Sequence, residues 1–189
     1  MSSAELIRKA VAATAHLATG LSEDNSADAT PCVDFNVGDL VEHIAGVFAM
    51  SASAAMKKEL SAHAGSITIS DNPGATLALL GSGMVDAWAT PDAFDGRTHL
   101  GPREMSAFIA GHITFFEILI HGWDLAMATG QRLELSDDLA EAILGSAQRL
   151  CTDQAREFGA FGSQVHIPGQ SGPFEHALAL TGRDPNWSV

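Results

Sequence analysis

Three side chains able to do acid–base or metal chemistry sit inside one of the most apolar stretches of the chain. Residues 115–128, FFEILIHGWDLAMA, carry Glu117, His121 and Asp124, spaced four and three residues apart. On an α-helix, positions i, i+4 and i+7 stack along one face. A carboxylate and an imidazole one turn apart can therefore close on a single metal ion. An ordinary i, i+4 pair on an exposed helix would be worth only ~0.2–0.5 kcal/mol. Here Phe115, Phe116, Leu119, Ile120 and Trp123 surround the pair, which argues for burial. A buried carboxylate needs a compensating partner, and a metal ion supplies one.

A third ligand has to come from another element. His43 lies in the run Leu40-Val41-Glu42-His43-Ile44. At helical spacing it shares an inward face with Leu40, Ile44, Val47, Phe48 and Ser51, with Glu42 on the solvated flank. A lone histidine on an apolar face is more often a hydrogen-bonded core residue than a ligand; opposite Glu117 and His121 it completes a set. Two imidazoles and one carboxylate, with coordination positions left open, suit a catalytic zinc. The same donors accept non-haem iron or nickel. Asp124 is either a fourth ligand or an acceptor that orients an imidazole. His112, half a turn out of phase with His121, and His16, near the end of the first helix, read as structural or surface residues.

The elements that must position these groups are helices. Leu6, Ala10, Ala13 and Leu17 predict a helix over residues 4–19, stopped by Gly20. A polar loop to Phe35 follows. Asn36 and Asp39 then make a capping pair, with Phe35 and Leu40 placed as a hydrophobic staple, for a helix over about residues 37–62. After a connection over 65–73, Pro73-Gly74 opens a helix over about 75–90, ended by Pro91. Residues 97–100 read as a short strand. Gly101-Pro102 is expected to begin the longest helix, running to Thr129 with Gly130 as its stop. At ~1.5 Å per residue it would be roughly 40 Å long. A fifth helix is expected over about 136–158, then a glycine-rich stretch and a short closing helix over 174–181. Helices that each bury one stripe predict an all-α four-helix bundle with a short extra C-terminal helical segment, one domain over residues 1–189.

Composition narrows the function. The 189 residues carry a formal net charge of −13, which disfavours nucleic-acid backbones and anionic membrane surfaces. No apolar run approaches the roughly 20 residues of a spanning helix, and Glu5 and Lys9 interrupt any signal-peptide pattern. Two cysteines, Cys32 and Cys151, make no disulfide framework. A cytoplasmic protein with reduced thiols is expected. Neither cysteine lies at metal-ligand spacing.

Several stretches carry a resemblance. Thr30-Pro31-Cys32 through Asp39-Leu40-Val41-Glu42-His43-Ile44, then Ile120-His121-Gly122-Trp123-Asp124-Leu125-Ala126 with Thr129-Gly130-Gln131, resemble the DinB-like superfamily. The closest branch shares the N-terminal domain of mycothiol-dependent maleylpyruvate isomerase. Residues 179–187, ALTGRDPNW, are similar to the C-terminal signature of small single-domain metal-binding members. The resemblance spans nearly the whole chain and implies a four-helix bundle. It also implies a divalent metal held by a histidine of the second helix and by two residues one turn apart on the fourth. Those positions are His43, Glu117 and His121. The isomerase has a separate C-terminal domain that contributes thiol-cofactor binding, and this chain is expected to be too short for one. The resemblance therefore implies the metal site more strongly than maleylpyruvate isomerisation.

Three functions compete on these grounds. One is a metal-dependent transferase or isomerase using a small-molecule thiol such as mycothiol, the metal lowering the thiol pKa. Another is a non-catalytic metal-binding stress protein, for which a homodimer is one arrangement. The third is a hydrolase using a metal-bound water.

Overall fold

The computed structural model describes residues 1–58 and 72–188. The first helix, α1 (Ser3–Thr14), is capped by the Ser2 side chain and tightens into a 3₁₀ turn over Ala15–Gly20. Helix α2 (Val37–Ala55) starts where the capping residues predict. Asn36 Oδ1 accepts from the Asp39 amide at 2.8 Å, and Asp39 Oδ2 accepts from the Asn36 amide.

Helix α2 ends earlier than expected. Lys57 adopts a left-handed φ of 56°. Its amide donates to Ala54 O, and the Lys58 amide reaches back to Ser53 O. This is a Schellman stop with lysine where glycine is usual. Lys57 Nζ also donates to the Asp92 and Ala93 carbonyls, tying the stop to the turn that follows the next helix. The rest of the expected extension, 59–62, and the connection over 65–71 lie outside the described residues.

Helix α3 (Pro73–Trp88) has Pro73 in its first turn and Asn72 as its cap. Strand β1 (Arg97–Leu100) is where the sequence places it, but a second strand, β2 (Arg103–Ser106), replaces the expected first turn of the next helix. The strands are antiparallel, with Leu100 opposite Arg103. Gly101 at φ 59° followed by Pro102 gives the sign pattern of a type II′ turn. The glycine and proline that suggest a helix start thus close a two-residue hairpin. Helix α4 (Ala107–Ala128) is 22 residues long, roughly 33 Å.

Helix α5 (Asp137–Leu150) stops eight residues before the expected end. The Thr152 side chain accepts from the Ala155 amide and starts α6 (Asp153–Glu157). Helix α7 (Pro173–Thr181) closes the fold.

Helices α1 to α4 form the bundle: α2 packs on α3 and α4, and α1 packs on the same two. Helices α5 and α7 pair with each other, and α5 leans on α4. Helix α4 is buried on nearly every side, as expected of a central helix. Gly122 lets α1 come close, since a Cβ there would meet Thr14 Cγ2 at 2.5 Å. Trp123 is a core residue at 6% exposure. Among the described residues no helix is long and apolar enough to cross a membrane.

Candidate metal centre

The cap at Asn36 fixes the phase of α2, and that phase turns His43 toward α4. There it meets the two α4 residues one turn apart. His43 Nε2 lies 3.4 Å from Glu117 Oε2, and His121 Nε2 lies 3.2 Å from the same oxygen. One donor atom from each of the three lies within 4.8 Å of the others. The two imidazole rings are 4.7 Å apart, edge to face. The structure thus brings together His43, Glu117 and His121.

Behind them the site is tightly bonded. His121 Nδ1 is 2.9 Å from Asp124 Oδ2. Asp124 is fully buried and accepts from Arg183 twice, from Nε to Oδ1 and from Nη2 to Oδ2, each at 2.7 Å. With Nδ1–H donated to Asp124, Nε2 is the His121 nitrogen that faces Glu117 and His43: it donates to Glu117 while the ring is protonated and offers a lone pair once that proton is displaced. Both Asp124 oxygens accept hydrogen bonds, the arrangement usual for a carboxylate that orients an imidazole.

The electrostatics follow from this packing. Burial alone would raise the Glu117 carboxyl, but hydrogen bonds from His121 and His43 outweigh it and hold it at about 2. Burial alone would lower His121, but Asp124 and Glu117 outweigh it and raise it to about 9. In the absence of an ion the cluster thus retains a proton on His121 at neutral pH. The donor set fits a divalent ion: two imidazole nitrogens and a carboxylate oxygen lie within 4.8 Å of one another, and one imidazole has its other nitrogen anchored.

His43 and Glu117 are partly open to a chamber of about 330 Å³, which Cys32, Phe35, Phe161 and Arg183 also line. Sequence reasoning missed three of these residues. Phe35, read as a helix staple, stacks on the His43 ring at 4.9 Å. Cys32, set aside on spacing, brings its sulfur within 4.8 Å of His121 and Asp124 atoms. Its thiol is raised by burial and by the Asp124 charge. Arg183, which the sequence shows only as part of the 179–187 signature, is the partner of Asp124. A signal existed for it: a buried aspartate needs a cation, and Arg183 follows a glycine at a helix end. That glycine, Gly182, takes φ 92° in a Schellman stop, which swings Arg183 in from α7.

Other residues stay away from the centre. Glu42 is exposed, His16 is exposed and bonded to the Arg132 carbonyl, and His112 packs at a tilt against Phe108. Cys151 is buried, and burial pushes its thiol up to about 11.

Residues 7–126 match the family model of the mycothiol maleylpyruvate isomerase N-terminal domain. The chain belongs to that family. All three candidate ligands lie within the matched span. Two proteins of Mycobacterium tuberculosis, Rv0738 and MT0763, are 27% identical over 178 residues, covering 93% of this chain and 94% of theirs. Both carry the description "uncharacterized protein". The crystal structure of the mycothiol-dependent maleylpyruvate isomerase superposes with a TM-score of 0.56 at 17% identity. The match covers 86% of this chain and 73% of that one. At that identity it supports the bundle fold shared by this branch of DinB-like proteins.

Proposed function

We propose that this chain binds one divalent ion, zinc in the first instance, through His43, Glu117 and His121. We further propose that it works with a small thiol of the mycothiol type in a transfer or isomerisation reaction. The observation that carries this reading is the convergence of three donor atoms from two helices beside an open chamber, with Asp124 and Arg183 bracing His121 from behind. The donor set also accepts nickel or iron.

The residues have separable tasks. Asp124 holds His121 in the tautomer whose Nε2 is free. Glu117 offsets one of the two metal charges, so the site keeps a formal positive charge that favours an incoming thiolate. Phe35, stacked on His43, limits the rotation of that ring. The bound ion would supply Lewis acidity toward the thiol sulfur. Cys32 and Cys151 are both free thiols, which accords with a reducing cytoplasm. Burial raises the thiol pKa of both, so an external thiol is the better nucleophile.

Elemental analysis of the purified protein should find close to one equivalent of metal, with little left in His121→Ala. Calorimetry of mycothiol binding in buffers of different ionisation enthalpy should then detect proton release with the zinc-loaded protein and no binding without metal. Full metal content in His121→Ala would overturn the ligand assignment. Equal thiol binding with and without metal, or none in either form, would overturn the thiol reading.

A further inference from the structure

We infer that the candidate metal centre opens on its other side into an apolar chamber that seats an uncharged hydrocarbon group about the size of a benzene ring. The co-substrate of this chain would then carry such a group, where a dicarboxylate such as maleylpyruvate does not. Facing that group toward a reacting thiol rests on the function proposed above; the chamber itself does not.

His43 and Glu117 border two spaces. One is the polar chamber with Cys32 and Arg183. The other, about 170 Å³, lies toward the β1–β2 hairpin. Its walls are Val47 and Met50 from α2, Leu100 from β1, and Ile113 and Thr114 from α4. The Thr114 hydroxyl is already bonded to Ser51 and to the Ala110 carbonyl, so it offers little to a polar ligand. Met50 sits under the hairpin turn, where a Cβ on Gly101 would come 3.6 Å from its sulfur. An enclosed dry cavity of roughly 150 Å³ lined by aliphatic side chains is enough to hold benzene; this chamber has about that volume and is open on one side.

Charge sharpens the class. All ten Lys and Arg side chains of the chain belong to described residues, and none lines this chamber. The one lysine or arginine lining the polar chamber is Arg183, and it is paired in two bonds with Asp124. A dianion would find no unpaired lysine or arginine in either space, and in the apolar chamber it would lie beside Glu117. An apolar group finds a fitted wall next to the candidate ligands. The smaller apolar cleft between α1 and α3, about 70 Å³ with Leu77 and Leu125 in its lining, does not include His43, Glu117 or His121.

Methyl NMR of the zinc-loaded protein titrated with benzene tests this, with zinc content measured on the same samples. Benzene should shift the Val47, Leu100 and Ile113 methyls saturably, and maleate at equal concentration should not. Ile113→Trp, or Leu100→Trp if that variant misfolds, should weaken benzene binding at least tenfold with zinc content unchanged. Unmoved chamber methyls, shifts confined to Leu77 and Leu125, equal shifts from maleate, or undiminished binding in a folded tryptophan variant would each overturn the inference. One equivalent of zinc without a benzene response removes the chamber and leaves the metal reading. A benzene response in protein that never takes up zinc does the reverse.

Discussion

Two polar clusters join α2 to α4 at neighbouring levels of the bundle. Ser51, Thr114 and Trp88 make the first. Trp88 Nε1 donates to Ser51 Oγ at 2.7 Å, the Ser51 and Thr114 hydroxyls are 2.6 Å apart, and Thr114 donates to the Ala110 carbonyl. Every proton can be placed in one direction along the chain, and water is shut out. His43, Glu117 and His121 make the second. One carboxylate oxygen serves two imidazoles at 3.2 and 3.4 Å, longer than the 2.7–2.9 Å usual for charge-assisted bonds. The front of this cluster is open while its back, Asp124 with Arg183, is short and bidentate. A closed neutral network holds helices together. A cluster that is rigid behind and loose in front is arranged to receive something.

Removing the rear wall should break this contrast most severely. Asp124→Ala leaves the Arg183 guanidinium largely buried and unpaired and takes the acceptor from His121. Urea denaturation should register a loss of about 3–5 kcal/mol, and metal affinity should fall about 10–100-fold. A wild-type midpoint in this variant would mean that the bidentate pair contributes nothing to the site's rigidity.

Metal removal comes next and acts on the second cluster alone. An ion at 100 times its dissociation constant adds ~2.7 kcal/mol if the unfolded chain does not bind it. For a chain of this length that is roughly 5–10 °C in Tm. Chelator should lower the melt by that order at neutral pH and by less in acid, where protons compete for the imidazoles. An unchanged melt in protein confirmed to be metal-free would count against any stabilising ion.

Ser51→Ala makes the complementary cut. It strips the acceptor from Trp88 Nε1–H inside the core, at a cost of about 1–3 kcal/mol. Zinc content should stay at that of the wild type. Loss of metal in this variant would show that the two clusters are coupled and not separate devices.

The candidate centre was partly legible in the sequence because its strongest signals are local. The Glu117–His121 spacing and the Asn36–Asp39 cap each span a single helical turn, and together they set the phase that turns His43 inward. Arg183 lies 59 residues from its partner, and a buried aspartate asks for a cation without saying which distant one supplies it. The misplaced boundaries have the same origin. Lys57 stops α2 in a left-handed conformation that glycine usually takes, held by bonds to the Asp92 and Ala93 carbonyls far along the chain. Pro102 was compatible with a helix start, and only the pairing of Leu100 with Arg103 makes it a turn. Thr152-Asp153 was a readable cap inside an apolar period, and there the periodicity misled.

His112 offers the smallest effect and a third kind of polar residue on α4. It packs against Phe108 with the rings tilted by 55°, and its Nδ1 is buried with no hydrogen-bond partner among the described residues. Burial, and then the nearby Arg149 charge, lower its pKa from the ordinary 6.5. The fold therefore favours the neutral ring, while the unfolded chain binds the proton more readily. His112's contribution to stability should be full above pH 6.5 and decline as pH falls from there through the lower folded value. His112→Leu removes this titration. Urea midpoints of wild type and variant between pH 5 and 8 should keep a constant difference above 6.5, and the variant should gain on the wild type below it. A difference independent of pH would mean that the ring accepts a proton as easily folded as unfolded, through a partner for Nδ1 such as bound water. In that case the nitrogen would belong with the satisfied polar atoms of the Ser51 cluster, and its burial would carry no penalty.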